Sequence, residues 1–154
     1  MLLKKPVPFR KKDLSVLGIC LPGLCITGSL IALAVSRWNV FSAPKLILPS
    51  GALAWVTVVC SSLTTGYLEE GYFRLYLPER LQKAAVGPRR SFIFPVLIFA
   101  LCHAYEGPWG FANALVAGII LSLGYRKIPG FHGIALAHGI YNILVYLSVT
   151  AFQR

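Results

Sequence analysis

The stretch "TTGYLEEGYFRLY" (64–76) sets Glu69 and Glu70 side by side, with Arg74 four residues beyond Glu70. Further along stand His103, His132 and His138, with Asn142 four residues after the last histidine. Carboxylates and imidazoles move protons, and fixed polar donors can hold a developing oxyanion, so these types contain the parts of a general-base hydrolysis. Glu70 and Arg74 share the i,i+4 spacing that places two side chains on one helix face, as do His138 and Asn142. Arg74 is therefore expected to neutralise Glu70. That leaves Glu69, about 100° around the helix, free to meet a histidine.

A second chemistry uses the same types. Glu69, His103 and His138 could ligate zinc and leave a fourth position open. The spacing lacks H-E-x-x-H, and the metal-free reading is favoured. Cys20, Cys25, Cys60 and Cys102 lie within apolar segments without C-x-x-C spacing, so they are read as small hydrophobes and not as a disulfide or metal framework. Cys102 adjoins His103, but neighbours on a helix point apart, which argues against a Cys–His nucleophile pair. His132, beside the Pro129–Gly130 turn, reads as interfacial. Tyr105, Trp109 and Tyr141 read as packing or interface aromatics.

These groups must be positioned by an unusually apolar chain. Of its 154 residues 56% are hydrophobic and 13% charged, too few polar side chains to cover a soluble domain. Five apolar stretches stand out at roughly 14–35, 48–68 (extending to Leu77), 91–105, 110–125 and 131–151. The first, second and fifth reach the roughly 20 residues a membrane-spanning helix needs. The fold class expected is all-α, a polytopic transmembrane bundle of about five spans. Helix ends are expected at "SAPK" (42–45), "LPERLQKAAVGPRR" (77–90), "YEGPWG" (105–110) and "RKIPG" (126–130), where Pro and Gly interrupt. The 77–90 connection has the composition of either an amphipathic surface segment or a solvated loop. Residues 1–13 read as a basic cytoplasmic N-terminus and 14–154 as one membrane domain, with the chemistry in about 50–150. The first apolar run, about 22 residues, exceeds a signal-peptide core and reads as a retained anchor.

The formal net charge of +10 does not indicate a nucleic-acid partner, because the basic residues lie between apolar segments. With the N-terminus inside, five spans place 12 of the 15 Lys and Arg residues on the cytoplasmic side, leaving Arg37, Lys45 and Arg154 outside. That bias matches the positive-inside rule and implies a multi-pass cell-membrane protein, N-terminus cytoplasmic. Depth then groups the polar residues. At the helical rise, Glu69 lies roughly 13 Å from a helix end at Leu77, His103 about 18 Å from Ser91, and His138 and Asn142 about 12 and 18 Å from Gly130. Ionisable groups at such depths are costly and usually mark a site or pathway.

In chain order, "EEGYFR" (69–74), "FALCH" (99–103) and "HGIYN" (138–142) resemble the E-E-x-x-x-R, F-x-x-x-H and H-x-x-x-N motifs of the CPBP family. That family includes CAAX prenyl proteases and bacteriocin-processing or self-immunity proteins. The resemblance implies an intramembrane endopeptidase with a cavity open to the cytoplasm, acting on a membrane-associated or lipidated peptide or protein. It makes Glu69 the base that activates a water, assisted by His103, with His138 and Asn142 stabilising the oxyanion. Glu70 and Arg74 would hold the helix and set its local charge. Many relatives carry Gly after the motif arginine, where this chain has Leu75, and many have further spans upstream. A cavity wall supplied by a second copy or a partner membrane subunit is therefore an expectation too. The competing reading is a non-catalytic self-immunity or regulatory protein. A small proton-coupled transporter is disfavoured by the lack of an inverted repeat.

Overall fold

The computed structural model describes residues 7–38 and 47–152. Lys4, Lys5, Lys45, Arg154 and the "SAPK" interruption lie outside the described residues. Within them every regular element is a helix, without a strand. The elements are α1 (Lys11–Trp38), α2 (Ala52–Glu70), a π-helical segment (Gly71–Tyr76), α3 (Leu77–Lys83), α4 (Pro88–Cys102), a 3₁₀ turn (Ala104–Glu106), α5 (Gly107–Lys127) and α6 (Phe131–Phe152). Three segments are individually long and apolar enough to cross a bilayer: Lys11–Arg37, Ala104–Lys127 and Phe131–Ala151.

Small residues set the helix packing, as expected where lipid tails remove the hydrophobic drive between helices. A Cβ on Gly66 of α2 would lie 2.5 Å from the Ala135 carbonyl oxygen, and one on Gly139 of α6 would lie 3.0 Å from the Leu63 Cα. The α2 and α6 backbones are thus nearly in contact. Glu69 and Glu70 come one turn beyond Gly66 on α2, and His138 immediately precedes Gly139 on α6. The same device seats α1: a Cβ on Gly124 of α5 would meet Cys20 Sγ at 2.3 Å, and one on Gly133 of α6 would meet the Asp13 carbonyl oxygen at 2.1 Å. Val16, Cys20 and Leu24 of α1 close a core with Leu121 of α5 and Ile134 of α6.

The start of α1 is tied down by a residue the sequence reading passed over. Asp13 is buried, accepts the Gly133 N–H at 3.1 Å through Oδ1, and accepts the Arg10 N–H at 2.8 Å through Oδ2. One carboxylate therefore caps α1 and fixes it to the first turn of α6. Beside it, His132 donates Nε2–H to the Val7 carbonyl at 2.6 Å and accepts from the Tyr67 hydroxyl at Nδ1, 3.2 Å away.

The second long helix does not end at Leu77. It passes through the π segment and across Pro78 to Lys83. Proline lacks the N–H that would continue an α ladder, and the π turns immediately before it widen the backbone enough to admit its ring. The polar connection then shortens to Ala84–Gly87, where Ala85 adopts φ 56°. Arg74 is buried within this helix at 5% exposure and is therefore not a loop charge.

Candidate active site

α4 has 15 residues, about 22 Å of helix, which is short of a hydrocarbon core of roughly 30 Å. Where so short an apolar helix ends inside a bundle, its irregular backbone must satisfy its own polar groups. It does so locally. The His103 N–H donates to the Ala100 carbonyl at 3.1 Å, and the Glu106 N–H donates to the His103 carbonyl at 3.0 Å. His103 is thus the residue that ends α4, with φ −101° and ψ 5°, and not a mid-helix residue as its apolar surroundings suggest. Its Nδ1–H donates to the Phe99 carbonyl at 2.9 Å, which leaves Nε2 as the acceptor in the neutral ring.

α2 and α6 bring the other groups together. His138, 5% exposed, lies between both carboxylates of the "EE" pair. Its Nδ1 is 3.0 Å from Glu70 Oε1, and its Nε2 is 3.6 Å from Glu69 Oε2. Glu70, fully buried, uses its second oxygen on Arg74, with Nε 3.0 Å from Oε2. That contact is an ion pair whose angles fall outside hydrogen-bond geometry. The expected Glu70–Arg74 pairing is therefore present, and Glu70 has in addition a role across the helix interface that spacing alone did not reveal. Glu69 is the more open of the two acids, its side chain 27% exposed, and Oε2 has no hydrogen-bond partner. His138, His103, Glu70 and Arg74 all act on it electrostatically.

The chain of contacts has a direction. Glu70 accepts the His138 Nδ1 proton, which turns Nε2 toward Glu69 and fixes the imidazole, the same orienting function a buried carboxylate performs in hydrolytic triads. Nε2 faces Glu69 Oε2 at 3.6 Å, beyond direct hydrogen-bond distance.

Phe99 joins these groups from the middle of α4. It is 1% exposed, and its ring centroid lies 4.7 Å from that of His103 and 5.8 Å, edge to face, from that of His138. The Arg74 guanidinium lies 5.2 Å from the same centroid, and Phe73 packs at 5.2 Å. The sequence assigns Phe99 only a place in a motif. Its position four residues before His103, on the same helix face, is the signal that could have marked it.

Asn142 is one turn beyond His138 on α6, half-buried, and makes no hydrogen bond to the protein among the described residues. The structure thus brings Glu69, Glu70, Arg74 and His138 into direct contact. His103 is joined to them through Phe99, and Asn142 stands beside His138 with its amide unengaged. Among the described residues no three His, Cys, Asp or Glu side chains converge as a metal-ligand set. Glu69 and His138 Nε2 face each other at 3.6 Å, so a zinc site at Glu69, His103 and His138 would require His103 to join the other two.

Residues 49–144, which contain all three motifs, match the sequence model of the type II CAAX prenyl endopeptidases described as Rce1-like. The chain belongs to that family. No curated protein and no solved structure matches it. As an Rce1-like protein it is a helical membrane protein of CAAX-type endopeptidase class, and its substrates are membrane-associated peptides or proteins. The matched region runs from the start of α2 into α6 and so omits α1, which packs behind α5 and α6.

Proposed function

We propose that this Rce1-like protein hydrolyses a peptide bond with a water activated by Glu69, without a metal. The observation that carries the reading is the Glu69–His138–Glu70–Arg74 chain, which joins the α2–α3 helix to α6 and leaves only Glu69 partly open. Glu69 takes a proton from water as the oxygen attacks the scissile carbonyl carbon. The resulting oxyanion is held by His138 as the imidazolium, which Glu70 stabilises, and by the Asn142 amide. Collapse breaks the C–N bond, and the proton on Glu69 passes to the leaving amine. His103, with Nε2 as its acceptor, supports Glu69 in both transfers. Arg74 pairs with Glu70, so that the buried carboxylate keeps a counter-charge when His138 is neutral. If zinc were present, Glu69, His103 and His138 would hold it, and it would supply Lewis acidity. The separation of His103 from Glu69 and His138, which it meets only through Phe99, supports the metal-free route.

The cell membrane, with the N-terminus in the cytoplasm, is part of this reading and is supported by the basic residues gathered at the α3–α4 and α5–α6 connections. The competing reading is a self-immunity or regulatory protein that binds without cleaving. Cleavage of a membrane-associated peptide library by the purified protein separates the two. Glu69→Gln and His103→Ala are expected to reduce turnover about 10²-fold or more, the range of lost acid–base catalysis. Turnover that persists in Glu69→Gln, or a folded wild type without cleavage, would reject the mechanism.

A further inference from the structure

A cavity of about 190 Å³ lies outside the catalytic chain, between the α2–α3 helix, α4 and α5. It is at the basic end of the bundle, where α3 leads into α4 and α5 into α6. Its walls are largely apolar, with Phe73, Phe92 and Tyr125 among them, but two arginines line it and no acidic residue does. Arg126 is held by its guanidinium lying 5.2 Å from the Phe92 ring centroid. Arg74 is the second. Its Nε pairs with Glu70, while Nη1 and Nη2 are buried without any hydrogen-bond acceptor. Buried guanidinium nitrogens without acceptors are expensive, and an oxyanion with two or more oxygens is their natural partner. Ser91 and Ser122, both buried, stand in the same walls, the Ser91 hydroxyl donating to the Val86 carbonyl at 3.0 Å.

From this geometry we propose that the cavity is a binding site for a phosphate-bearing anion, held between Arg74 and Arg126 with its apolar portion against the aromatic wall. The phosphate comes either from an anionic lipid headgroup or from a small soluble phosphate ester. Because Arg74 also neutralises Glu70, an anion here stabilises the helix that presents Glu69. The site stands whether or not the protein is a protease.

Binding to the full-length protein in neutral detergent distinguishes the sources, using phosphatidylglycerol in mixed micelles and dissolved glycerol phosphate as probes. Arg126→Gln removes a lining charge, and Gln82→Trp obstructs the cavity from an exposed position on α3. Each is expected to weaken saturable binding about tenfold, as loss of one charge-assisted contact would. Arg89→Gln removes an equal charge from an exposed residue at the start of α4 that does not itself line the cavity, and is expected to leave binding unchanged. Saturable lipid binding with weak glycerol phosphate binding assigns the bilayer as the source, and the reverse assigns a soluble ester. Equal weakening by Arg89→Gln, or no saturable binding of either probe, overturns the proposal.

Discussion

At the residue scale, the site depends on one buried acid facing two bases. Glu70 is fully buried between Arg74 and His138, so Glu70→Ala leaves a guanidinium without its counter-charge. Breaking a buried pair from one side costs about 3–5 kcal/mol, and thermal unfolding in detergent should show a corresponding loss. Glu70→Gln keeps the volume but also removes the counter-charge, so turnover is compared on folded protein alone, with kcat expected to fall while KM changes little. Phe99→Leu tests the aromatic junction. It keeps an apolar side chain but removes the ring that His103, His138 and Arg74 share, and a displacement of about 1 Å at reacting groups can cost about 10²-fold in rate. An unchanged kcat would show that the ring only fills space. The Glu70–Arg74 pairing was legible in the sequence because both residues lie on one helix. The Glu70–His138 contact was not, since spacing along one helix says nothing of the angle at which another helix meets it.

At the element scale, the close approach of α2 and α6 sets the position of Glu69 and Glu70 against His138. Gly66→Ala places a methyl group 2.5 Å from the Ala135 carbonyl oxygen, so the helices must separate. Both stability and turnover are expected to fall, whereas Gly18→Ala, whose new Cβ meets nothing within 4 Å, should leave both intact. Helix punctuation could be read in advance: Gly107 and Pro108 open α5, and α5 stops at Lys127 just before "IPG". The π segment could not, because its register answers to the burial of Phe73 and Arg74 against α4 and not to local propensity. The same limit applies to His103, whose place at a helix end follows from where α4 must turn back as α5.

At the scale of the whole molecule, α1 lies outside the matched family region yet closes the back of the bundle through Asp13, Val16 and Cys20. Asp13→Ala removes an N-terminal cap and the tie to Gly133, and is expected to cost about 0.5–2 kcal/mol by the cap alone, read as a lower unfolding temperature. Composition identified a membrane bundle, and three ordered motifs identified its family, but the tie between α1 and α6 joins residues 120 positions apart and left no local trace. The central claim is hydrolysis by Glu69 without a metal. Its most direct test is peptide turnover by the wild-type protein after exhaustive chelation, with bound metal quantified in the same sample. Undiminished turnover in metal-free protein, abolished by Glu69→Gln, is the expected result. Turnover that disappears with zinc and returns when zinc is restored would contradict it.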